Sequence, residues 1–542
     1  MTELTSDGDH LILEPEQVAA DAPPLEAFES DDAGARDALR GDLGARALRS
    51  AAWRGVANVM APLIRLGVLA VLARRLPPSA FGVVAMSAVV IGSAATLAEF
   101  GLGSAVIQRP RLTSGQLRWV FRVNLALSVL LWIICLAASP WVGKFFHEPM
   151  AGPVLAVSAA VLPLSAIAFV PRALLVRRLE FRKLVTCELA GAVGNAVTAI
   201  AMALSGQGVW SLVAGALVGA AVTSASLMAL SPWRPTGAAG RPQAAAGLLQ
   251  FGMTVAGLSL LNYWAYSVDN LVVGRTLGAA ALGVYAMAFT LAIMPVGQLS
   301  GLASSVAFPS FSAIQEDRER LTGAYLRCLR WSAALTFPFC ALMIALSPQV
   351  IAVFLGAKWA AAALPLRLLL VVAAARSLYT FTGAVLRAVG KPQIELLLQA
   401  MLFAGVAAAA LIGSRGGIVG VAAAVAGFIS LLAAPTFLAV TAREARSGLL
   451  RTLREVAAPA GASAVGGAAA FGLARAAAKL SPGAPDVLVL VAGAAVGVAL
   501  YAVTMRGAAP DLLGEVWKRV RSAFGARPQT VAVELPASGG GG

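Results

Sequence analysis

Apolar residues in this chain rarely alternate with polar ones at the spacing of a surface helix or a half-buried strand. They come in runs of about twenty, separated by short polar turns. Wound as helix at about 1.5 Å per residue, such a run matches the hydrocarbon thickness of a bilayer. Fourteen spans are expected, at 52–75, 81–106, 119–143, 152–176, 184–205, 208–231, 249–273, 282–309, 331–355, 361–387, 394–413, 416–441, 456–477 and 485–505. The pattern predicts an all-α polytopic membrane protein. Residues 1–48 are acidic with a basic end and read as a disordered cytoplasmic tail. Beyond Arg506, Leu512, Leu513, Val516, Trp517, Val520 and Phe524 fall on one side of a helix flanked by Lys518, Arg519 and Arg521. Within 507–542 this predicts an interfacial helix drawn to anionic lipid, followed by a disordered tail.

The spans repeat. "ARRLPPSAFGVVAM" begins at Ala73 and "GRTLGAAALGVYAM" at Gly274, 201 residues later. Six spans, an even number, separate the copies, so both halves have the same orientation. The expected units are 49–233 and 246–441, six spans each, with two further spans in 455–506. A parallel repeat of this kind places a binding site between the halves. Gly191 with Gly194, and Gly215 with Gly219, are spaced for close helix contact.

Composition agrees: 59% of residues are hydrophobic, 13% are charged, and mean hydropathy is +0.80. The net charge of +15 suggests nucleic acid until its placement is considered. Of 42 Lys and Arg, 31 lie in the two flanks and in alternate loops with their helix ends, and eight in the other loops. That asymmetry places both termini in the cytoplasm and assigns the charge to membrane topology rather than to nucleic acid. Cys135, Cys187, Cys328 and Cys340 have neither disulfide nor metal spacing, and His10 and His147 are the chain's two histidines. No metal site and no cofactor are expected. The first 50 residues lack the apolar core of a cleavable leader. No phosphate-cradling glycine loop or nucleophile elbow is present, and the outer loops are too short to carry the catalytic groups of a polymerase or ligase, so no enzyme is expected.

Candidate chemistry therefore rests on polar residues within spans. Arg65 lies mid-span one turn after Pro62, and a charge at that depth costs roughly 3 kcal/mol on insertion scales. Arg54, Asn58 and Arg65 share one helix side, a stripe suited to an anion. The competing reading is that Arg65 pairs with Glu99 or Glu188 to hold helices together. Arg376 sits near the middle of span ten and Arg367 nearer its outer end. Ser259, Asn262, Tyr266 and Asp269 make a polar face on span seven, and Asn195 lies deep in span five. Asp269 suits a cation or proton site, or a pairing with Arg275; Glu99 is a second acidic candidate, or a neutralising partner for a loop arginine. Tyr263, Trp264 and Tyr266 suit sugar stacking or simple packing.

The segments "ARRLPPSAFGVVAM", "FGLGSAVIQRP", "RRLEFRKL", "GQGVWSLV", "DNLVVGRTLGAAALGVYAMA" and "FPSFSAIQED" resemble the Wzx-type lipopolysaccharide and exopolysaccharide flippases of the multidrug/oligosaccharidyl-lipid/polysaccharide exporter superfamily, over about residues 45–440. The resemblance implies two six-helix lobes around a central cavity with two further helices, in the bacterial inner membrane. It implies transfer of undecaprenyl-diphosphate-linked oligosaccharide to the periplasmic leaflet, for lipopolysaccharide, exopolysaccharide or capsule, with membrane lipids and a polysaccharide polymerase as partners. Cavity arginines hold the diphosphate in relatives, which makes Arg65 the best-matching position. On this reading Arg54, Asn58 and Arg376 complete the diphosphate site; Tyr266, Asn262 and Asn195 face the glycan; Asp269 and Glu99 couple an ion. A cation-coupled multidrug exporter of the same superfamily is the alternative, and Arg65 and Arg376 weigh against it.

Overall fold

A computed structural model describes residues 60–99, 114–178, 180–237, 246–313, 317–481 and 483–509. The tail 1–48, Arg54, Asn58 and nearly all of 507–542 lie outside the described residues.

The described chain is a succession of helices: α1 (60–75), α2 (Pro78–Glu99), α3 (Ser114–Phe146), α4 (Ala151–Ser158), α5 (Val161–Arg177), α6 (Phe181–Leu204), α7 (Val209–Leu230), α8 (Ala246–Ala313), α9 (Arg318–Ala345), α10 (Ser347–Phe354), a 3-10 turn (Ala357–Ala362), α11 (Ala363–Tyr379), α12 (Thr382–Ala388), α13 (Pro392–Gly413), α14 (Gly417–Phe428), α15 (Ala434–Glu444), α16 (Leu449–Leu480) and α17 (Asp486–Ala508). Eleven stretches among the described residues are long and apolar enough to cross a membrane. The difference from fourteen arises in three places. The described part of the first span is only 60–75, α8 runs through two expected spans, and Pro392–Glu444 joins two more across the 3-10 turn Ser414–Gly416. On α17, Leu488, Val491 and Val503 are each more than 60% exposed, a display of large apolar side chains that suits lipid.

The repeat is built into the packing. Gly278 breaks α8 with φ +84°, which a glycine adopts without strain. It stands 201 residues after Pro77, where the first half turns instead on Pro77-Pro78. Beyond these turns α2 lies against the second arm of α8 at backbone contact. A Cβ on Gly82 would fall 1.7 Å from the Ala279 carbonyl oxygen, and a Cβ on Gly283 would fall 1.8 Å from that of Pro78. Offset by 201, Pro78 becomes Ala279 and Gly82 becomes Gly283. It is one contact made twice about a pseudo-twofold axis, as a parallel repeat requires.

At this end of the bundle each half also reaches into the other. Arg74 donates to the Val353 carbonyl at 2.6 Å; Lys358 donates to the carbonyls of Arg74 and Leu76 at 3.0 and 2.7 Å; the Trp359 indole donates to that of Ala73 at 2.8 Å. Arg275, the repeat counterpart of Arg74, meets Nδ1 of His147 at 2.5 Å and lies over the Phe145 ring. The buried core beneath runs through both halves, from Val83, Met86 and Val154 to Tyr285, Leu366 and Val425.

Candidate functional site

A cavity of about 700 Å³ opens among α1, α2, α5, α6 and α7, within the first half rather than between the halves. Its size is that of a ligand pocket. Arg65, Glu99, Arg172, Glu188 and Asn195 line it. Its back wall forms because α6 and α7 pack through glycines: a Cβ on Gly191 would meet Thr223 Oγ1 at 1.8 Å, and one on Gly219 would meet the Asn195 Cβ at 2.9 Å. Close backbone approach is what small residues give a membrane bundle.

The four charged lining residues sum to zero, so anion capture depends on which of them are already paired. Glu188 is committed to Arg172 at 3.1 Å. Arg65 is exposed to the cavity and makes no ion pair or side-chain hydrogen bond among the described residues. The pairing of Arg65 with Glu188 is thus replaced by Arg172–Glu188. Glu99, also exposed at the cavity, makes no ion pair with Arg65. Arg172 was missed in sequence, being counted with the loop charge of 172–183. The signal available was Pro171, inside α5 and immediately before it, echoing Pro62 before Arg65.

The second half treats its charges differently. Arg376, on α11, is 4% exposed, and none of its three guanidinium nitrogens has a hydrogen-bond partner. Its guanidinium carbon stands 3.8 Å from the Tyr266 ring centroid, a cation–π stack. Asp269, 1% exposed, accepts from the Tyr285 hydroxyl at 2.8 Å and from the Asn270 N–H at 2.9 Å. Asp269, Tyr266, Tyr285 and Tyr379 all lie within electrostatic reach of Arg376. The geometry therefore keeps Arg376 apart from Arg65, as an interior charge of the second half. Asp269 does not pair with Arg275: six residues apart they sit about 240° around the helix, and Arg275 turns to His147 instead. Tyr266 stacks on Arg376 rather than facing the cavity, and Asn262 is exposed and lines neither this cavity nor the slot beside it. Arg367 donates to the Ser347 hydroxyl at 2.6 Å and to the Ile344 carbonyl at 3.2 Å. Among the described residues no group of His, Cys, Asp and Glu is placed to hold a metal.

Beside the charged cavity lies a smaller slot of about 320 Å³ between the halves, and Leu69 and Val84 line both.

Residues 71–364 match the family described as polysaccharide biosynthesis protein, and the chain belongs to that family, which includes Wzx-type polysaccharide flippases. Among curated relatives, the lipopolysaccharide biosynthesis protein WzxC of Escherichia coli (strain K12) is 27% identical over 356 residues, covering 65% of this chain and 71% of its own. The succinoglycan biosynthesis transport protein ExoT of Rhizobium meliloti (strain 1021) is 27% identical over 312 residues, covering 58% of this chain and 63% of its own. Two solved structures share the fold. The lipid II flippase MurJ, in an inward closed conformation, superposes with a TM-score of 0.66 at 13% identity, covering 85% of this chain and 99% of that one. An inward-facing multidrug resistance MATE family transporter of the MOP superfamily gives 0.55 at 19% identity, covering 76% and 98%. The chain is thus a multi-pass membrane transporter of polysaccharide biosynthesis.

Proposed function

We propose that this chain moves an undecaprenyl-diphosphate-linked oligosaccharide from the cytoplasmic to the periplasmic leaflet by alternating access of its two halves, 49–233 and 246–441, with both termini in the cytoplasm. The observation that carries the reading is Arg65, an arginine that faces a cavity and makes no ion pair among the described residues. A guanidinium offers a fixed charge and forked donors that suit a diphosphate. Arg172, paired with Glu188, is the second cation within the same cavity, and Asn195 offers an amide beside them. On this reading Arg54 and Asn58 extend the anion stripe along the first span, and Arg376 supports the site from within the second half rather than by contact. The polymerase that consumes the product works on the periplasmic side.

Two negative charges leaving an inside-negative cell gain roughly 4–5 kcal/mol per 100 mV if they cross unneutralised. Glu99, facing the cavity, is the coupling group should a cation cross instead; both oxygens of Asp269 are already engaged.

Reconstituted flipping of a fluorescent undecaprenyl-diphosphate glycan tests the reading. Arg65→Ala should abolish transfer for any glycan at normal membrane abundance, and Arg65→Lys should restore part of it. Normal abundance with normal flipping in Arg65→Ala would sink the diphosphate site. Lowered abundance would return Arg65 to a structural role.

A further inference from the structure

The slot between the halves is apolar except for one polar stripe. Phe81, Val84, Ala88 and Val89 of α2 make one side apolar. The second arm of α8 adds Ala286, Met287, Phe289 and Thr290, and from its first arm Tyr263, Ser267 and Asn270 project at intervals of four and three, one face of the helix. All three are polar and uncharged. The Asn270 side-chain oxygen is buried and has no hydrogen-bond partner. The Tyr263 hydroxyl donates to the carbonyls of Ala88 and Val89 at 3.0 and 3.1 Å, so it spans the slot. Gly92 makes room for it: a Cβ there would fall 2.2 Å from that hydroxyl. Helix interiors disfavour glycine, and here the close approach of the tyrosine accounts for it.

Carbon-rich walls with one stripe of neutral donors and acceptors fit a sugar ring, which carries C–H groups on its faces and hydroxyls around its rim. A site that holds a buried, unpartnered polar atom discriminates between ligands, because an analogue without the matching hydroxyl leaves that atom unpaired. The volume is near the lower limit for ligand pockets, about 300 Å³, which suits one sugar rather than a chain. The slot meets the Arg65 cavity at Leu69 and Val84. We propose that this slot, through Asn270, Ser267 and Tyr263, binds the sugar directly joined to the diphosphate, and so selects the first sugar of the transported glycan. This rests on the diphosphate reading of Arg65.

The test uses the full chain in nanodiscs and compares binding of undecaprenyl diphosphate with binding of undecaprenyl diphosphate carrying a single glucose, galactose or N-acetylglucosamine. The wild-type chain should hold at least one glycosylated lipid about tenfold more tightly than the bare one. Asn270→Leu should reduce that preference to within about twofold while bare-lipid affinity, which also reports on folding, stays unchanged. Ser267→Val is the second variant, read in the same way, in case Asn270→Leu loses bare-lipid binding. A preference unaltered in both variants, or absent from the wild-type chain for all three sugars, would overturn the slot while leaving the Arg65 site standing. Bare lipid that binds Arg65→Ala as tightly as it binds the wild-type chain would overturn the diphosphate reading, and this one with it.

Discussion

Arg65 and Arg376 are the same chemical event in the sequence, a lone arginine in an apolar span, and the structure gives them opposite settings. Arg65 meets a cavity; Arg376 is closed into the second half with Asp269 as its countercharge, at a separation too long for an ion pair. Removing one member of such a couple strands the other in a low-dielectric interior, which costs more than removing both. Arg376→Met should therefore lower the thermal stability of the detergent-solubilised protein. Adding Asp269→Asn to it should return part of the loss, with a coupling of about 1–3 kcal/mol. Additive losses would show that the two do not sense one another. The polar residues were legible in sequence, but their direction was not. The face Asn262, Tyr266, Asp269 and the face Tyr263, Ser267, Asn270 differ by one residue, about 100° of rotation. Span hydrophobicity gives no reference for rotation about the helix axis, so tertiary packing alone decides which face meets the slot.

Helices, by contrast, declared themselves. Runs of about twenty apolar residues have one way to satisfy their backbone in lipid, and the 201-residue repeat announced that two helices would occupy matching positions. What the repeat did not reveal is that its matched glycines are the contact itself. Gly82→Ala and Gly283→Ala each place a Cβ less than 2 Å from a backbone carbonyl oxygen of the opposite half. Backbone at both sides cannot yield, so α2 and the second arm of α8 must separate. Both variants should lower folded yield in fluorescence-detected size exclusion, and by similar amounts, because they disturb one pseudo-symmetric contact. Gly257→Ala is the control: among the described residues nothing stands within 4 Å of a Cβ placed there. An alanine there should be neutral or stabilising by up to about 1 kcal/mol. Equal behaviour of all three would mean that the seam tolerates separation.

On the scale of the whole molecule, the charged cavity lies within the first half, the slot lies between the halves, and one end of the bundle is fastened across the seam by groups that the repeat places in pairs. Arg74 and Arg275 occupy equivalent positions and each reaches into the opposite half, one to Val353 and the other to His147. Alternating access requires these fastenings to break in every cycle while the two halves stay folded. A covalent link at one of them should then stop transport and leave binding intact. Arg275→Cys with His147→Cys, in a background lacking the four native thiols, gives such a link through a short bifunctional maleimide. Bridged protein in proteoliposomes should bind undecaprenyl-diphosphate glycan and fail to flip it, whereas each single cysteine variant treated alike should flip normally. The positive-inside reading adds a direction, since it puts this end of the bundle at the periplasmic face. Labelling of the two cysteines should therefore proceed from outside the cell, and more rapidly when substrate turnover opens the seam. Bridged protein that still flips at the wild-type rate would show that these contacts do not move, and would place the path for the glycan somewhere other than between the two halves.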